Sequence, residues 1–113
     1  MNQTVRYVIL FTAVSAFAWL SVGSSPSASE QRGRKLFDLH CALCHENPPA
    51  GLKKQPPKLE GVFKAKHLPS GAPPTDKQVR KTIIQGLRTM PAFDQRLSGQ
   101  DINDLVAYLH TLN

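Results

Sequence analysis

Apolar and polar positions alternate along this chain with helical rather than strand spacing. Tyr7–Val22 is an apolar run broken only by Thr12, Ser15 and Ser21. Beyond it, Gly33, Leu36, Phe37 and His40 fall at i, i+3, i+4 and i+7, one face of a helix from about Glu30 to His40. Val79, Ile83 and Leu87 mark the buried side of a second helix. It opens at Thr75-Asp76-Lys77-Gln78, a capping box with Gln78 reaching back to Thr75, and Gly86 stops it. Ile102, Leu105, Val106, Leu109 and Leu112 form a third apolar stripe down to the end of the chain, behind the capping box Ser98-Gly99-Gln100-Asp101. Between the first two helices, Pro48-Pro49, Pro56-Pro57 and Pro73-Pro74 withhold backbone donors and exclude long helices, leaving room for a short turn near Leu59–Lys66. No segment alternates for long enough to make a strand and there is no internal repeat, so the expected class is all-α.

The first apolar run is a separate matter. Arg6 is the only side-chain charge before Glu30, and small residues follow the run in Val22-Gly23-Ser24-Ser25 and Ser27-Ala28-Ser29. A positive start, a short apolar stretch and a small-residue exit describe a secretory leader, here placed at residues 1–24. Retention as an N-terminal anchor is the alternative, although 16 residues from Tyr7 to Val22 fall short of the roughly 20 that span a bilayer.

Residues 25–113 then make one small domain with few large apolar side chains: Phe37, Phe63, Phe93 and Tyr108 are its aromatics, and the only tryptophan, Trp19, lies in the leader. Domains of this size bury little surface per residue and need a staple. The chemistry that supplies one stands at Cys41-Ala42-Leu43-Cys44-His45, which uses both cysteines of the chain. C-x-x-C-H is the attachment signature of c-type haem. Two intervening residues let both sulfurs reach one porphyrin edge within a helical turn, and the next imidazole lies close to the iron axis as proximal ligand. The competing readings are weaker. A zinc site lacks its second cysteine pair, a thioredoxin-like site lacks its βαβ surroundings, and a plain disulfide leaves His45 unexplained. Export and haem agree on the compartment, because this haem is joined to its protein outside the cytosol.

A six-coordinate iron needs a second ligand. Met90 is the one methionine beyond Met1, and Pro91 disfavours helix at Met90, which puts its thioether on an extended segment. His67, in a loop, and His110, late in the third helix, are its rivals; His110 lies off the main stripe and is expected to face solvent. His40 is too close to the attachment site to reach the opposite face.

With these residues in place, the chain resembles a small monohaem class I cytochrome c of the bacterial type, from about Gly33 to Leu112. The resemblance implies a three-helix cytochrome c fold wrapped around one covalent haem c and its iron. In that family a glycine and an aromatic of the first helix meet an aromatic of the last; Gly33, Phe37 and Tyr108 match these positions. The family's G-P-x-L-x-G segment, whose proline carbonyl accepts the hydrogen bond of the proximal imidazole, is matched by Pro57-Lys58-Leu59-Glu60-Gly61, with Pro56 in place of the leading glycine. Met90-Pro91-Ala92-Phe93 matches the methionine loop, which implies His45/Met90 ligation. The stretch His67–Pro74 is less typical of the family, and a partner-contact loop and a neutral insertion are its two readings.

Charge narrows the partners. Of 14 lysines and arginines, Arg6 lies in the leader, and the other 13 outnumber 8 acids. The basic residues are scattered without aromatic interleaving, so nucleic-acid binding is not expected. Docking to acidic redox donors and acceptors is the functional expectation for this surface. The expected role is that of a monomeric one-electron carrier in the periplasm or on the outer face of the membrane, not an enzyme. The alternatives are a cytochrome subunit of a membrane oxidoreductase and an open-site haem sensor or peroxidase.

Overall fold

The computed structural model describes residues 23–113; the leader expected at residues 1–24 lies outside them but for its last two residues. Among the described residues four helices follow in order: α1 (Ala28–His40), α2 (Ala42–His45), α3 (Asp76–Gln85) and α4 (Gly99–Leu109), with one 3₁₀ turn at Val62–Lys64. Among the described residues there is no strand and no helix long and apolar enough to cross a membrane.

Local chemistry accounts for each start. Ser27 caps α1 through a full capping box with Glu30, so the helix begins two residues before the periodicity indicates. Ser98 and Asp101 form the same device at α4. At α3 only half of the expected box is made. Thr75 Oγ1 accepts from the Gln78 amide, and the Gln78 side chain makes no return bond to Thr75. Helix α4 closes at Leu109 rather than at the end of the chain, and Leu112 follows in a turn, half-buried.

The core sits where α1 crosses α4, with Phe37, Leu105, Val106 and Leu109 at its centre and Val79, Ile83, Phe93 and Leu97 closing it from the α3 side. Gly33 is the crossing point: a Cβ there would stand 1.9 Å from the Asp104 carbonyl oxygen and 2.7 Å from Tyr108 Cβ. Phe37 and Tyr108 pack beside it with ring centroids 5.4 Å apart and planes tilted by 57°. The crossing also buries a charge that hydrophobic patterning did not single out. Asp104 is 1% exposed and accepts from Ser29 Oγ at 2.5 Å, Arg32 Nε at 2.6 Å, Gln100 Nε2 at 3.0 Å and Arg32 Nη2 at 3.2 Å. Buried charges persist only when so partnered. These bonds, Arg32 first and Ser29 next, hold the Asp104 carboxyl down at about 2.

The stretch His67–Pro74 is a compact turn. Leu68 enters the core and its amide donates to the Ala72 carbonyl at 2.9 Å, while His67 stays exposed.

Candidate haem site

Helix α1 leads directly into the attachment segment, with Cys41 alone between it and α2. The Cys41 amide donates to the Phe37 carbonyl at 2.8 Å, which makes Cys41 the C-cap of α1 and the N-cap of α2 at once. Cys41 is half-buried against the core, Cys44 is exposed, and both are free thiols. Burial first, and Cys44 nearby second, push the Cys41 thiol up to about 11.

His45 closes α2, half-buried, with Nδ1 2.7 Å from the Pro57 carbonyl oxygen. A carbonyl can only accept, so Nδ1 carries the proton and Nε2 is left as the ring nitrogen with a free lone pair. A bond of this kind fixes both tautomer and ring plane and makes the free nitrogen a better ligand. Gly61, at φ 67° before the 3₁₀ turn, ends the Pro57 arm, and its amide donates to the Leu112 carbonyl at 2.5 Å. A cleft of about 390 Å³ opens beside His45, walled by Phe37, Leu59 and Leu112.

Met90 comes from a different arm and does not line that cleft; it is half-buried against the same core. Its backbone is clipped on both sides. Met90 and Leu87 exchange hydrogen bonds of 3.0 and 3.1 Å around a tight turn at Arg88-Thr89, with Arg88 at φ 56°. The Phe93 amide then donates to the Ile83 carbonyl at 3.0 Å and ties the segment to α3. Gly86 does more than stop α3. Its φ of 70° and ψ of 176° belong to a region open essentially to glycine, and a Cβ there would lie 2.5 Å from the Met90 carbonyl oxygen.

The two rivals for the second ligand behave differently. His67 is exposed in its loop, whereas His110 is engaged: its Nε2 donates to Asp76 Oδ1 at 2.8 Å and its ring stacks on Phe63. His110 is exposed, as helical phase indicates, and still makes both of these contacts. His40 is exposed and meets Phe93 edge-on at 6.1 Å.

The donor set fits a c-type haem. Two thiols and one pre-oriented imidazole sit on a single turn, a thioether is held on a separate arm, and Leu59 and Leu112 remain only half-buried beside His45.

Comparison with known proteins agrees. The family model described as cytochrome c oxidase, cbb3-type, subunit III matches residues 28–109. Cytochrome c6 of Nostoc sp. is 28% identical over 117 residues, covering 96% of this chain and 92% of that protein. The cytochrome bc1 complex cytochrome c subunit of Corynebacterium diphtheriae is 29% identical over 83 residues, 73% of this chain and 27% of that protein. Its Mycobacterium tuberculosis counterpart is 32% identical over 79 residues, 69% of this chain and 25% of that protein. The chain therefore spans about a quarter of the length of these bc1 subunits and nearly all of the c6 protein. From the α1–α4 crossing to the C-x-x-C-H turn, the chain belongs to this cytochrome c family as a small monohaem class I member that carries covalent haem c.

Proposed function

We propose that the chain is a one-electron carrier in which His45 and Met90 are the axial ligands and Cys41 and Cys44 hold the haem through thioethers. The orientation of His45 carries this reading. With Nδ1 committed to the Pro57 carbonyl at 2.7 Å, Nε2 is presented in one tautomer and one plane. When bound, the haem supplies a ferric–ferrous couple, and a His/Met pair raises its potential. The chain's own work is to hold both ligands still, because a carrier transfers fastest when little rearranges. Pro57 does this for His45. Gly86, the Leu87–Met90 exchange and the Phe93–Ile83 bond do it for Met90. Phe37, Leu59 and Leu112 give the cleft beside His45 an apolar wall.

The protein would work outside the cytoplasm after removal of residues 1–24, as a monomer. Its redox partners would dock transiently on acidic surfaces opposite the excess of lysine and arginine, over a small, salt-sensitive interface. A second reading, a cytochrome subunit of a membrane complex with the leader retained as anchor, rests on the matches to bc1 cytochrome c subunits. The mass of the mature protein separates the two.

The deciding experiment is an optical spectrum of the exported protein beside that of Met90→Ala. A c-type ferrous spectrum with the weak red-edge band of a ferric iron–sulfur bond, lost in Met90→Ala together with a fall in potential, is the expected result. A parent that binds carbon monoxide readily and lacks the band would move the assignment to an open-site sensor or peroxidase.

A further inference from the structure

His110 touches one residue from each of the two arms that orient the proposed ligands. Its ring lies flat on Phe63, centroids 3.7 Å apart and planes 8° from parallel. Phe63 belongs to the 3₁₀ turn that directly follows Pro57-Lys58-Leu59-Glu60-Gly61, the arm whose proline carbonyl holds His45. At its edge, His110 Nε2 donates to Asp76 Oδ1 at 2.8 Å. Asp76 is the first residue of α3, and the far end of α3 is Gly86, against whose backbone the Met90 segment rests. Helix dipoles favour this pairing from both sides: an acid stands in the first turn of α3 and an imidazole at the C-cap of α4.

We infer that His110 is a positioning residue, a clamp that fixes the Met90 arm relative to the Pro57 arm by gripping Asp76 and Phe63 together; this rests on Met90 being the second ligand. Helix α3 acts as the lever. Its ten residues form a rod of about 15 Å, so a shift at Asp76 is carried to Gly86 rather than absorbed. Val79 and Ile83 pack its buried side, and Arg80 hydrogen-bonds Asn103 of α4 midway. At the N-terminal end of the lever the described cross-link is the one to His110.

The test uses the haem-loaded, full-length protein and reads the affinity of ferric iron for added imidazole, which competes with the methionine. His110→Ala and Asp76→Ala should each weaken the red-edge iron–sulfur band and tighten imidazole binding roughly two- to five-fold, the range of an exposed polar contact. The double variant should go no further than either single one. His110→Gln, which keeps a donor for Asp76 and loses the ring, should fall between. Arg32→Ala loosens the α1–α4 crossing instead, and should lower the unfolding midpoint without tightening imidazole binding. Parental imidazole affinity in both His110→Ala and Asp76→Ala would overturn the clamp, and so would an Arg32→Ala effect as large as theirs. A parent without the iron–sulfur band, and with the same imidazole affinity as Met90→Ala, would overturn the Met90 reading and the clamp with it.

Discussion

Arg32 Nε lies 2.6 Å from Asp104 Oδ2, and this contact joins α1 to α4 at the only place where the core buries a charge among the described residues. Its geometry is two-pronged, with Nη2 reaching the other carboxylate oxygen at 3.2 Å. Forked guanidinium–carboxylate bonds are both directional and strong. The guanidinium itself is half-exposed, so the pair keeps a solvated cation over a buried anion.

Acid should loosen this crossing in a defined window. Arg32, and Ser29 after it, hold the Asp104 carboxyl at about 2, against 3.8 for the ordinary group. The unfolded chain therefore binds a proton there sooner than the folded one does. The contribution to stability is complete above about pH 4 and is lost as pH falls toward 2. Unfolding midpoints of the haem-loaded protein, compared with Asp104→Asn, should differ clearly at neutral pH and converge below pH 3. Parallel curves would remove Asp104 from the account.

Gly33→Ala sets two effects against each other. Alanine is the better helix former by about 1 kcal/mol, but its Cβ would lie 1.9 Å from the Asp104 carbonyl oxygen, a backbone atom that cannot swing aside. Parting the helices costs on the order of 1–3 kcal/mol or more, so the clash should win. Denaturant unfolding of the variant should show a lower midpoint; an unchanged or higher one would mean that the helices can separate freely.

Gly86→Ala should damage the Met90 arm more than the fold. A side chain at φ 70°, ψ 176° is strained by on the order of 1–3 kcal/mol, and its Cβ would press on the Met90 carbonyl oxygen from 2.5 Å. The expected signature is a weakened iron–sulfur band with a c-type ferrous spectrum retained. Retention of the full band would show that the arm adjusts without moving the thioether.

Replacing Cys41 and Cys44 with serine should leave little folded protein. Leu59 and Leu112 line the cleft beside His45 and are only half-buried by the polypeptide, so a haem attached there would cover them. Circular dichroism should show lost helix content, and a cooperative thermal transition in the double variant would contradict the staple argument.

Much of this protein is written in short-range patterns. The C-x-x-C-H run, the Ser27 and Ser98 capping boxes and the apolar stripe of α4 depend on spacings of three to five residues, which hold whatever the rest of the chain does. Pro57 and the Gly33–Phe37–Tyr108 crossing were legible because the chain resembles a family in which those positions pair. What the sequence alone left open are partnerships between distant residues. Asp104 interrupts an apolar helix, and nothing near it in the chain shows that Arg32, 72 positions away, will cover it. His110 reads as a surface residue until folding brings Asp76 to it from 34 positions away and lays Phe63 on its ring. Gly86 reads as a helix stop until the Met90 segment folds back against it. A local pattern fixes which face of a helix is buried, but the partner of a polar group is chosen by how the helices cross, and that is decided only when the whole core packs.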